Sequence, residues 1–255
     1  MDENMKRMNI VILSADSQPQ FVGGVKRVTS ILGNEWIKAG HKVVYFTFCN
    51  NEQRHNPIYS QFEGIRQIFI SDTTHLCSPV NYELVGENID KSNPTVILNP
   101  HVEDRPLSLF SIALTRELKA KLVQALHFHP NFNTNLIRYS FRNNRKFTNK
   151  SVKGKVILES LLLLKYWLYT RWHSQKSLRD YHTMLYANSD LFVVLSETFL
   201  PMLKSQIKDK NYSKLVAVNN PSYVHKSVTP VKKKVVLWCG RMDFSCKRID
   251  WLLEI

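Results

Sequence analysis

Cysteine is scarce in this 255-residue chain: four residues, at 49, 77, 239 and 246, with no C-x-x-C pair. That pattern excludes a disulfide scaffold and reads as reduced thiols in a cytosolic setting. Long apolar runs are missing too. Residues 1–7 hold no apolar core of signal-peptide length, so export is not expected. Within 155–186 the longest uncharged apolar run is 160–164, far short of the ~20 residues that span a bilayer. No G-x-G-x-x-G comes after the first apolar run, which disfavours a nicotinamide-dependent oxidoreductase. Paired carboxylates of the glycosidase type, a Ser-His-Asp order and a metal-spaced Cys/His cluster are all lacking. Acidic residues are few, 21 against 35 Lys and Arg, for a formal net charge of +14.

The charge is not spread evenly. Residues 138–182 carry eleven Lys and Arg against only Glu159 and Asp180. Tyr139, Phe141, Phe147, Tyr166, Trp167, Tyr169, Trp172 and Tyr181 are interleaved with them. Such a segment suits an anionic membrane surface or nucleic acid, or forms a core-facing helix with a solvated basic side. At 44% hydrophobic residues the chain as a whole reads as globular.

The chain is organised around its opening. Ile10 to Leu13 form a short apolar run suited to a strand buried on both faces. Val25, Val28, Leu32, Trp36 and Ala39 recur at helical spacing, leaving Lys26, Arg27, Asn34 and Lys38 for solvent. Gly40 stands where a left-handed helix end is least costly, and Val43 to Phe46 resume a strand. This βαβ unit predicts a parallel sheet whose ligand site lies beyond the carboxyl ends of its strands, beside Gly23 and Gly24.

Further strands are predicted at 65–70, 95–99, 121–126, 191–196 and 214–218, and helices at 80–91, 104–118, 155–186 and 197–206. Asp104 and Pro106 give the second of these helices an acidic cap and a first-turn proline. Alternation of strand and helix predicts an α/β fold: a Rossmann-like parallel sheet flanked by helices. Residues 1–222 form this domain, 223–234 read as a linker with a proline and a lysine run, and 235–255 begin a second Rossmann-like domain that is incomplete.

Four stretches together resemble the family-4 glycosyltransferases, whose GT-B fold faces two Rossmann-like domains across a cleft. Gly23-Gly24 with Val25 and Val28, and Gly40-His41 with Val43, are similar to the family's G-G-x-x-x-V helix and G-H-x-V strand entry. Leu126, His127 and Pro130 resemble its L-H-x-x-P turn, and Asn220-Pro221 its turn before the interdomain linker. Gly240, Arg241 and Lys247 resemble its G-R-…-K turn in the donor domain, with Arg248 where many relatives have glycine. The family's pair of spaced glutamates, which hold the donor in relatives, would fall after Ile255, so a truncated form with an incomplete donor site is expected.

The resemblance implies transfer of a sugar from a nucleotide-sugar donor to a saccharide or lipid-linked acceptor, with retention, in polysaccharide or glycolipid synthesis. Gly23, Gly24, Arg241 and Lys247 would bind the donor diphosphate without a metal or other cofactor. His127 would sit at the cleft beside the reacting sugar. His129 and Asp16 are weaker acceptor-side candidates, and Asn220 and Pro221 would shape the hinge. The expected setting is cytoplasmic, with residues 138–182 resting peripherally on an anionic membrane. Two readings stand beside this one. One is a catalytically inactive fragment that binds a membrane or ligand. The other, a nonspecific nucleic-acid binder, ranks last because no such motif is present.

Overall fold

In the computed structural model, residues 7–14, 24–48, 65–72, 74–130 and 175–221 are described. The chain divides into two compact units, residues 1–130 with 177–221 and residues 131–176 with 222–255. The described residues fall in the first unit, Gln175 and Lys176 apart. The expected linker at 223–234, the second domain at 235–255 and nearly all of the basic aromatic segment lie outside them.

Seven strands form one parallel sheet. In chain order they are β1 (Asn9–Ser14), β2 (Lys42–Thr47), β3 (Arg66–Phe69), β4 (Thr95–Asn99), β5 (Lys121–Leu126), β6 (Leu191–Val194) and β7 (Leu215–Ala217). The helices among the described residues are α1 (Gly24–Lys38), α2 (Pro79–Asn88), α3 (Arg105–Glu117), α4 (Gln175–Ala187) and α5 (Phe199–Gln206). Across the sheet the order is β3-β2-β1-β4-β5-β6-β7, as expected for a Rossmann-like domain. The chain leaves β1 toward β2 and β3, then returns to β4 on the other side of β1. That reversal opens a crevice past the ends of β1 and β4.

The apolar runs are long because both faces are covered. All six residues of β1 are buried. Val11, Leu13, Val44, Phe46, Ile97 and Leu122 join one core, with Val85 of α2, Phe110 and Leu114 of α3, Leu185 of α4 and Leu203 of α5. Ile10, Ile12, Val43, Tyr45 and Leu98 join a second, smaller core with Ile65 and the half-buried Trp36 of α1. The strict alternation within β1 and β2 is the period-2 signature of a strand packed on both sides.

Helix α1 differs from its sequence reading in how it meets the sheet. Its buried residues are Val28, Thr29, Ser30 and Gly33. Val25, Leu32 and Trp36 are half-buried, as are Lys26 and Asn34, while Ala39 lies past the helix and is exposed. The reason is close approach: a Cβ on Gly33 would meet Ile65 Cδ1 at 2.5 Å. The bare backbone of Gly33, and not a ridge of large side chains, makes the contact. The helix ends as expected at Gly40, φ +89°. His41 N donates to Trp36 O and Gly40 N to Ile37 O, the paired bonds of a Schellman motif. α3 closes in the same way at Lys119, a lysine in the left-handed region at φ 50°.

Helix α2 stops at Asn88, three residues short of its expected end. A residue far away in sequence stops it. Asn9 of β1 donates from Nδ2 to Asp90 O (2.7 Å) and Asn93 O (3.1 Å), and its Oδ1 accepts from Asp90 N (3.0 Å). This clasp forces the chain out of the helix and into β4. α5 starts at Phe199, two residues later than expected. Of the helix expected at 155–186, the described part is α4. Among the described residues no helix is long and apolar enough to cross a membrane.

Candidate functional site

The crevice lies past the carboxyl ends of β1, β4 and β5. Ser14 closes β1 and is buried. Gly24 opens α1, whose first turn has no acidic residue but includes Lys26 and Arg27. A Cβ on Gly24 would meet nothing within 4 Å, so packing does not demand glycine there. What its smallness provides is room at a helix start whose free amides and dipole favour an anion.

Beyond β4 the chain is pinned by buried polar groups. Asn99 is wholly buried. Its Nδ2 donates to Gln124 Oε1 of β5 (2.8 Å) and Ser108 Oγ of α3 (3.1 Å), and its Oδ1 accepts from His101 N (3.0 Å). Gln124 passes the chain on, donating to Ser111 Oγ at 3.1 Å. Farther along, Tyr181 of α4 donates its hydroxyl to Val102 O at 2.6 Å, and Asp104 caps α3 by accepting from Leu107 N at 3.0 Å. Each of these buried groups has a partner, as a dry interior requires.

His101 and His127 stand on this platform. Asn99, the last residue of β4, pairs with Gln124 of β5, and His101, two residues past β4, lies close enough to His127, just past β5, to act on it electrostatically. His101 is buried, and its Nδ1 lies 3.2 Å from Glu103 Oε1. His127 is half-buried, with its Nδ1 wholly enclosed and without a hydrogen-bond partner among the described residues. Burial first, and then the nearby His101, lower its pKa to about 4, with Glu103 pulling weakly the other way. At neutral pH the ring is therefore an uncharged imidazole, able to donate from one nitrogen and accept at the other.

Of the residues singled out from sequence, the structure brings Gly24 and His127 to the same edge of the sheet, with β4 between their strands. His129 is half-buried and packs its ring edge-on to Phe199 of α5, centroids 5.4 Å apart. Asn220 is exposed and Pro221 half-buried, just past β7. Gly23, Asp16, Arg241 and Lys247 lie outside the described residues. Sequence reading missed His101, Glu103 and the Asn99–Gln124 bridge. A signal was present: a polar Asn-Pro-His ends the apolar run of β4 much as His-Phe-His-Pro ends that of β5.

A groove of about 1070 Å³ lies elsewhere, lined by Tyr82, Gly86, Ile89, Asn93, Thr95 and Leu118 among others. It borders the start of β4, at the amino edge of the sheet, where parallel α/β folds do not place their chemistry. Among the described residues no three His, Cys, Asp or Glu side chains are grouped to hold a metal ion.

No curated protein matches the chain. Among solved structures, Anabaena Alr3699/HepE in complex with UDP and glucose superposes with a TM-score of 0.47 at 10% identity, over 84% of this chain and 44% of that one. The same protein with UDP-glucose gives 0.46 at 12% identity, over 83% and 43%. A glycosyltransferase from Rickettsia africae ESF-5 gives 0.32 at 12% identity, over 85% and 69%. The chain thus spans less than half the length of Alr3699/HepE. The family model described as Glycosyltransferase Family 4 matches residues 22–220, from the start of α1 to the turn after β7. A match over most of the chain, on a sheet of the Rossmann-like order, places this protein in Glycosyltransferase Family 4.

Proposed function

We propose that this chain carries the acceptor-side half of an enzyme that moves a sugar from a nucleotide-sugar donor to a saccharide or lipid-linked hydroxyl. Family membership supports the reaction class. The observation that carries the reading is the placement of His127, half-buried just past the carboxyl end of β5 with its Nδ1 enclosed, where burial lowers its pKa and keeps the ring uncharged at neutral pH. Breaking an anomeric C–O bond leaves negative charge on the diphosphate and positive charge on the sugar. A cation beside the sugar would oppose that change. An uncharged imidazole can instead bind a sugar hydroxyl in both ground and transition states without electrostatic penalty. The positive groups belong at the diphosphate, where the start of α1 at Gly24 fits, with Gly23, Arg241 and Lys247 as its proposed companions.

Transfer with retention, in the making of a surface polysaccharide or glycolipid, completes the proposal. So does work at the cytoplasmic face of a membrane, with residues 138–182 against anionic lipid. The diphosphate is neutralised by protein groups, so turnover is expected to survive EDTA. The test is release of nucleoside diphosphate by the full chain from a panel of nucleotide sugars that includes UDP-glucose. His127→Ala should lower kcat by about a hundredfold, the scale of losing one well-placed hydrogen bond to a reacting group. Failure of every donor to turn over would overturn the enzymatic reading.

A further inference from the structure

We propose that Glu103 and His101 form a carboxylate–imidazole pair that fixes the tautomer of His101, so that its Nε2 accepts a hydrogen bond from the hydroxyl of the sugar acceptor. The proposal rests on the function proposed above, deepens it on the acceptor side, and gives the site a second histidine with a separate task.

The geometry separates the pair from an ordinary surface contact. The His101 side chain is only 11% exposed and that of Glu103 28%, with 3.2 Å between Nδ1 and Oε1. A carboxylate can only accept, so at this distance Nδ1 carries the hydrogen, and a neutral ring then presents Nε2 as a lone pair. Nε2 has no hydrogen-bond partner among the described residues.

The backbone beneath the pair is held at three points. His101 N donates to Asn99 Oδ1 (3.0 Å), Asp104 N donates to His101 O (2.9 Å), and Val102 O accepts from Tyr181 (2.6 Å). Rigidity of this degree is more than a loop-to-helix connection needs, because the Asp104 cap and Pro106 already start α3. It is what a positioning group needs, since small displacements of a reacting hydroxyl cost large factors in rate. The two histidines then divide the work. His127, with its enclosed Nδ1, faces the sugar being moved, and His101 orients the hydroxyl that receives it.

The pair can be tested apart from catalysis. Imidazole ¹³C and ¹⁵N chemical shifts of His101 in the full chain, recorded about two pH units above the ordinary imidazole pKa of ~6.5, report the tautomer directly. The wild type should show the Nδ1–H form. Glu103→Ala should release it to the Nε2–H form favoured by free imidazole, and Glu103→Gln, which keeps an accepting oxygen, should retain it. In turnover, Glu103→Ala should lower kcat/KM for the acceptor about tenfold, the scale of one hydrogen bond, while the KM for the donor stays unchanged. Partial recovery is expected in Glu103→Gln. An Nε2–H tautomer in the wild type, or a tautomer indifferent to Glu103→Ala, overturns the proposal, and neither reading needs an active enzyme. The expected tautomers without turnover by the wild type would uphold the pair and remove the enzymatic reading it serves.

Discussion

Burial and the neighbouring His101 hold the pKa of His127 near about 4, whereas an unfolded histidine titrates at ~6.5. Above the unfolded value neither state binds the proton, and the full stability is present. As pH falls from ~6.5 toward the folded value, the unfolded chain takes up a proton that the folded chain refuses, and stability drains away by up to ~3 kcal/mol. His182, buried between α4 and α5, is shifted the same way by burial, partly offset by its bond to Gln206. The urea midpoint is therefore expected to fall steadily between neutral pH and about pH 4, and to fall less in His127→Asn. An equal slope in wild type and variant would show that His127 is not the residue responsible. Asn99 supplies a second case at this scale. Asn99→Ala strips partners from the buried His101 N–H and Gln124 Oε1. Leaving such groups unsatisfied costs ~2–4 kcal/mol in all, measurable by chemical denaturation at neutral pH. His127 could be singled out in the sequence because a short motif surrounds it. Asn99 could not, because its partners Gln124 and Ser108 are chosen by the packing of α3 on β4 and β5; for His101 the only trace is the polar Asn-Pro-His that ends the β4 run.

Two helices differ in how their glycines are used. In α2, a Cβ on Gly86 would reach Leu118 Cδ2 at 3.8 Å, an ordinary contact. Gly86→Ala should then raise stability by ~1 kcal/mol through helix propensity alone. In α1 the same change at Gly33 drives a Cβ to 2.5 Å from Ile65 Cδ1, a core side chain just 4% exposed. Overpacking of this kind costs ~1–3 kcal/mol. Calorimetry of the two variants should move Tm in opposite directions. A neutral Gly33→Ala would mean that the end of the Ile65 side chain moves aside to make room for the Cβ. The end of α1 and the start of α3 were legible beforehand, since a left-handed Gly40 and an Asp104 cap with Pro106 act within one turn of their own residues. The end of α2 was not, because Asn9 stops it from 81 residues away.

Across the whole molecule the net charge of +14 must be met by something anionic or tolerated by repulsion. With the basic residues clustered at 138–182, the full chain should sediment with phosphatidylserine-containing vesicles. Salt at ~0.5 M, where screening acts over a few ångströms, should release it. Equal binding to neutral vesicles would remove the membrane from the proposal. The sequence by itself determined the α/β class, the parallel strands and the strand-end placement of His127. Each of these comes from local periodicity: double-sided apolar runs, a helix between them, and polar residues where a run stops. The tertiary structure alone decided the order β3-β2-β1-β4-β5-β6-β7 and with it the crevice beyond β1 and β4. It decided as well that His101 stands beside His127. Residues 26 apart in sequence become neighbours only when two strands pair in one register. No run of side chains along one segment records which strand its neighbour will be.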